Sequence, residues 1–356
     1  MKKHLLALAA LATVSGVASA QSVTMYGVLD VNVSVDNKAD TTSMGAGGLT
    51  PNIIGFKGTE DIGGGIKGFF NLETHFAPQN GQVGLQGQAA SGTTQVAKLT
   101  SNLFARQANV GLSNNLGTVT LGNQYGAGVL AMAATDPRGL RESYSGLSFW
   151  LVPALANTAT NTIGNVFYNN AVGVSTKVGV ASLAYTRSIG GSAGDTDKGS
   201  ADSAGLVVTP LPGLTLSAGW ATSKVAASTA KDNSINSYGA SYKFGNATVA
   251  ANRIVNKVYT SGAVANEVVA TGFGGSYQLT APLAVNAAYY KAKNDFAPAQ
   301  KSDNYIVGLE YSLSKRTTAY VQAAFSDNDS TAVSGSFGGT AGTSNNVTQV
   351  GVRHTF

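Results

Sequence analysis

Glu73 and His75 stand two residues apart on one face of an alternating segment, an acid and an imidazole of the kind that orient one another in a hydrolase. No recognisable nucleophile motif accompanies them, so an enzyme reading has little to stand on. The remaining histidines are His4 and His354, and there is no cysteine. No His pair has the spacing of a metal site, and no cofactor or metal is expected. Gly63-Gly64-Gly65 lies between two alternating segments with no helix after it, which marks a tight turn and not a phosphate cradle. Lys315-Arg316 is too short for a nucleic-acid patch, and a formal charge of +5 is only a mild bias.

The chemistry left is fixed charge, and its meaning depends on the elements that carry it. Residues 1–20 have the form of a secretory signal peptide: Lys2 and Lys3, an apolar stretch from Leu5 to Val14, and Ala18-Ser19-Ala20 as the cleavage signal. The exported chain is then residues 21–356. Nothing in it approaches the ~20 consecutive apolar residues of a membrane-spanning helix. Charged residues are only 12% and the mean hydropathy is +0.05. Strands with one polar and one apolar face give such an intermediate value.

Alternation with period 2 runs through the chain. In the first segment Val23, Met25, Leu29, Val31, Val33 and Val35 share a face with Gly27, opposite Thr24, Tyr26, Asp30, Asn32 and Ser34. The last segment puts Phe356, His354, Val352, Val350 and Thr348 opposite Thr355, Arg353, Gly351 and Gln349. Phe356 closes the apolar face, as suits a barrel-closing strand with its aromatic end at a lipid interface. Further strands are expected at Asn52–Asp61, from Ile66 onward, at Phe104–Leu112 and at Thr118–Tyr125. Tyr242, Phe244, Tyr277, Tyr289, Tyr311 and Phe325 fall on outward faces, several at strand ends.

Short turns alternate with long polar stretches, among them Gly126–Thr162, Val258–Asn266 and Asp327–Asn345. Such asymmetry predicts an all-β, transmembrane antiparallel up-and-down β-barrel of about 16 strands, with short periplasmic turns and long outer loops. No repeat of fixed period argues for a propeller.

Several stretches resemble the general diffusion porins of Gram-negative β-proteobacteria. They are Ser22–Val33, Gly55–Lys67, Arg106–Leu121, Ser312–Tyr320 and the final V-G-V-R-H-T-F. The resemblance implies a homotrimer in the cell outer membrane, passive diffusion of small hydrophilic solutes, and a third loop folded into the barrel as a constriction. It also implies contact with outer-membrane lipid and lipopolysaccharide, and recognition of the C-terminal strand by the barrel-assembly machinery. The third loop here is Gly126–Thr162, carrying Asp136, Arg138, Arg141 and Glu142; the wall candidates are Lys57, Lys67, Glu73 and Arg106. Relatives with an arginine ladder along the wall carry further arginines where this chain has Ile53 and Asn123. A weak anion preference is therefore expected. Simple alternation places Arg106 with Ala108, Val110 and Leu112 on the lipid side; either a bulge turns it inward, which is the expectation, or it lies near the interface. The alternative is a non-conducting barrel serving as a surface adhesin or structural protein.

Overall fold

The computed structural model describes residues 23–83, 103–151, 162–163, 166–190, 197, 199–224, 232–260, 263–294, 300–329 and 344–356. The expected signal peptide lies outside them. Sixteen strands close into one antiparallel barrel. They are β1 (Thr24–Asp36), β2 (Ile53–Gly63), β3 (Ile66–Ala77), β4 (Gln107–Ser113), β5 (Thr118–Tyr125), β6 (Phe167–Val178), β7 (Ala181–Ser188) and β8 (Ala201–Leu211). The second half comprises β9 (Leu214–Ser223), β10 (Asn233–Phe244), β11 (Ala247–Thr260), β12 (Ala263–Gln278), β13 (Leu283–Asn294), β14 (Gln300–Ser312), β15 (Thr317–Asn328) and β16 (Asn345–Thr355). Short strands at Thr41–Ala46, Gln82–Val83 and Thr162–Ile163 add to the same ladders.

Each strand pairs with its sequence neighbour, and β1 meets β16 from Val28↔Thr355 to Asp36↔Val347. Closure pairs the first strand with the last, so the described wall strands bond to one another through their backbone and not to water. At this seam Gly27 and Phe356 exchange backbone hydrogen bonds of 3.1 Å. A side chain on Gly27 would overlap the Phe356 ring, so glycine makes room for it there. The upper half of β1 pairs with Thr41–Ala46 and its lower half with β2.

The faces follow the period-2 pattern. Met25, Val33 and Val35 of β1 are exposed on the outside, whereas Asp30, Asn32 and Asp36 are buried inside. The aromatic residues Tyr242, Phe244, Tyr277, Tyr311 and Phe325 are exposed outward. Two expected boundaries differ. The fourth strand starts at Gln107 and not Phe104. There the Asn123 amide donates to the carbonyls of Ala105 (2.8 Å) and Phe104 (3.3 Å), taking acceptors that a continuing ladder would use. The stretch Val258–Asn266, expected as a long loop, is largely strand, because β11 and β12 stay paired to Thr260↔Ala263.

The chain after β5 turns into the barrel. It forms helix α1 (Ala127–Ala133) and the short helix α2 (Leu147–Trp150) against the inner wall. Met132, Phe149 and Trp150 join Ile235, Ile254, Tyr290, Ile306 and Val347 of the wall in one buried cluster. The wall admits α1 closely because Gly205 and Gly219 lack side chains. A Cβ on either would overlap the carbonyl oxygens of Ala127 and Gly128. Ser203 accepts the Gly128 N–H at 2.8 Å, replacing one of the helix bonds missing at an N-terminus.

Candidate pore constriction

Arg106 lies just outside β4 and points into the barrel, with only 5% of its surface exposed. The expected bulge is not the device. Pairing of β3 with β4 runs in one register from Lys67↔Ser113 to Glu73↔Gln107, and the chain leaves the ladder at the next residue. Its backbone N–H still donates to Glu73 O (3.2 Å), while the side chain is free to swing inward. The guanidinium donates through Nε to Glu73 Oε1 (2.5 Å), and through its other nitrogens to His75 Nε2 and the Tyr125 hydroxyl. It sits over the rings of Tyr125 (5.4 Å) and Phe167 (5.0 Å). Glu73 also accepts from the Tyr26 hydroxyl at 2.9 Å. A buried charge persists only when its partners are in place, and both members here have them. Arg106 can only donate, so His75 Nε2 serves it as an acceptor. Glu73 and His75 thus both serve Arg106. Among the described residues no group of three or more metal-ligating side chains forms.

The inward loop is fastened by two of its own charges. Asp136 Oδ1 accepts from the Gly146 N–H (2.9 Å), Asn252 (3.4 Å) and the Tyr290 hydroxyl (3.0 Å); its Oδ2 accepts from the N–H groups of Arg138 and Leu140. Arg138, 1% exposed, spans loop and wall. Nη1 donates to the carbonyls of Ser143 and Tyr144 at 3.1 Å each, and Nη2 to Asn286 (3.2 Å) and Gln322 (2.8 Å). Burial, with Arg141 beside it, pushes its guanidinium down to about 10, so it stays charged at neutral pH. Arg141 pairs with Glu310 of β14. Glu142 is half-buried at a cavity of about 610 Å³ that Asp36, His75 and Tyr144 also line. Burial pushes its carboxyl up, Arg106 opposes the shift and Asp30 adds to it.

The eight candidates therefore do not form one ring. Glu73 and Arg106 are a pair on the wall, Arg141 and Glu310 are a second pair, and Asp136 and Arg138 are spent on seating the loop. Lys57 is exposed on the inner face with its ammonium over the Tyr26 ring at 5.0 Å. Lys67 is exposed beside the turn at the short-loop end, six residues or roughly 20 Å along β3 from Glu73. Two lysines join these that the sequence reasoning left out of the site. Lys177 lines an inner cavity of about 420 Å³ under α1, and Lys243 is exposed on the inner face of β10. The signal was available in the strand phase: Lys243 alternates with Tyr242 and Phe244, which face out.

The Gram-negative porin family matches residues 7–331. The chain is 30% identical to outer membrane porin protein 32 of Delftia acidovorans, across 100% of both chains. It is 32% identical to an outer membrane porin protein of Bordetella pertussis over 39% of this chain and 37% of that one. Among solved structures, the anion-selective porin from Comamonas acidovorans superposes with a TM-score of 0.79 at 24% identity, covering 94% of this chain and 100% of that one. A trimer form of OmpT from Vibrio cholerae superposes with a TM-score of 0.67 at 14% identity, covering 95% and 100%. A closed barrel with a polar lumen, a loop seated inside it and a family match along nearly its whole length lead to one conclusion: the chain belongs to the Gram-negative porin family, and it is an outer-membrane porin, a water-filled channel for passive diffusion.

Proposed function

We propose that this channel passes small hydrophilic solutes and ions with a weak preference for anions, without catalysing a reaction. The observation that carries the reading is an imbalance on the inner face. Lys57, Lys67, Lys177 and Lys243 are all exposed there. The acids Glu73, Glu310 and Asp136 are each tied to a cation or to hydrogen-bond donors. Asp30, Asp36, Asp61 and Glu142 stand against the four lysines and Arg353 on the same face, leaving a surplus of about one positive charge. Fixed positive charge along a water-filled passage draws anions and repels cations, and screening at ~0.15 M salt limits its reach to about 8 Å. The lysines are spread along the wall with no ring of arginines at one level, so the preference is weak. The solved relative described as anion-selective supports the same sign.

The test is the reversal potential of single channels in a salt gradient. The expected sign is that of mild anion preference, reduced when Lys57, Lys67, Lys177 and Lys243 are changed to Gln. Clear cation preference in the unmodified protein would overturn the assignment. The same reading makes the protein a homotrimer, supported by the trimeric form among its structural neighbours. Sedimentation in detergent that gives only monomers would remove that part. Residues 1–20 act as the cleaved export signal in this reading, the outer leaflet supplies lipopolysaccharide as neighbour, and the final strand with Phe356 is what the barrel-assembly machinery grips. An intact N-terminus at Met1 in the outer-membrane protein would refute the first of these.

A further inference from the structure

After the short strand Thr41–Ala46, the connection from β1 to β2 runs along the inner wall. The Gly47 N–H donates to the Asp30 backbone carbonyl at 2.8 Å. Asp30, with none of its surface exposed, fixes the residues that follow. Its Oδ2 accepts the N–H groups of Leu49 (2.7 Å) and Thr50 (2.8 Å), and its Oδ1 accepts the Tyr320 hydroxyl of β15 (2.6 Å). Asn52 ends the segment, accepting the Asp30 N–H at 2.6 Å and donating to its carbonyl at 3.0 Å. Gly48 lies against Tyr320, where a Cβ would overlap the ring hydroxyl.

The other edge of the same segment meets the tip of the inward loop. Leu49 O accepts the Glu142 N–H and Gly48 O the Ser143 N–H, both at 3.2 Å. Gly47 O accepts the Ser143 hydroxyl at 3.0 Å. Gln322 of β15 also donates to Gly48 O, at 3.3 Å. Residues 47–50 are thus a strap with two bonded edges. One edge is held by a carboxylate buried in the wall. The other holds the peptide units that carry Glu142, a residue lining the cavity of about 610 Å³. A buried carboxylate persists only where donors satisfy it, and here they come from the strap and from Tyr320. Arg138 reaches the same tip separately, through the carbonyls of Ser143 and Tyr144. We infer that Asp30 is a positioning residue for the pore: through the strap it sets where Glu142 and the loop tip stand, and so the width of the passage. The inference rests on the channel reading and adds to it the residue that fixes the pore's gauge.

Two measurements on the purified full-length barrel test it. Hydrogen exchange in detergent reads the Glu142 and Ser143 amides directly and needs no current. In Asp30→Ala these amides should exchange at least about tenfold faster, the factor for one lost bond to a charged acceptor, while the amides of β1 and β16 at the seam keep their rates. Asp30→Asn retains an oxygen for the Leu49 and Thr50 N–H groups and offers its amide to the Tyr320 oxygen, so it should hold the unmodified rate. Single-channel current with graded polyethylene glycols reads the width. D30A should admit larger polymers than the unmodified protein, and D30N the same ones. Unchanged exchange at Glu142 and Ser143 in D30A, or an unchanged polymer cut-off, would overturn the inference. Equal acceleration at the seam would do so too, since it marks a general loosening of the barrel. A protein that shows the exchange pattern but never conducts leaves the strap supported and counts against the channel reading alone.

Discussion

Replacing Arg138 with Ala should unseat the inward loop while sparing the barrel. The guanidinium makes four hydrogen bonds, two to loop carbonyls and two to wall amides. Bonds from a charged donor are each worth about 1.5–3 kcal/mol, so a simple sum would exceed the real effect. Two corrections apply. A buried guanidinium carries a desolvation penalty of several kcal/mol that the alanine variant escapes. Asn286 and Gln322 also keep other partners, Glu310 for the first and Gly48 and Gln349 for the second. The expected net loss is about 3–5 kcal/mol, the range for removing one member of a buried charged network. At about 1.4 kcal/mol per tenfold, 3 kcal/mol shifts the ratio of seated to unseated loop by roughly 150-fold. The assay is single-channel current at constant voltage. R138A should show added open-channel noise and substates, and R138K, with a point charge in place of a fork, an intermediate amount. Heat resistance of the folded barrel on electrophoresis should barely change, since Arg138 takes no part in the strand ladders. A quiet R138A channel with unaltered current would refute the idea that this residue holds the loop.

Arg106→Ala strands the Glu73 carboxylate and should lower anion preference at low salt, whereas R106A/E73A removes both charges and should restore it. A double variant no different from R106A would break the argument that the pair acts as a neutral unit. Glu142, its carboxyl raised by burial, takes up a proton at a higher pH than an ordinary carboxylate as the solution is acidified. The lumen then becomes more positive by one, so anion preference should rise on mild acidification. Glu142→Gln should show the raised preference already at neutral pH and lack that step; an unchanged pH response in the variant would assign the effect elsewhere.

Strand phase was legible because each residue's face depends only on its parity along the chain. That is why β1, β13 and β16 could be oriented from sequence, and why Lys243 could have been. Arg106 defeated the same rule. Its orientation depends on where the ladder stops, and that is set by Asn123, a residue on the next strand. The extent of the β11–β12 hairpin was hidden for a similar reason: Val258–Asn266 is polar enough for a loop, yet pairing continues across it.

The amino-acid sequence by itself determined the class of protein and the lipid-facing surface of the barrel. These follow from hydrophobic periodicity, which is local. Only the tertiary structure decided what the charges do. Asp136 and Arg138 looked like channel-lining groups while their partners, Tyr290, Asn286 and Gln322, lay about 150 to 180 residues away in the chain. Whether a charge acts on a passing ion or is consumed by a neighbour depends on distances of a few ångströms across the lumen, and barrel closure alone sets those.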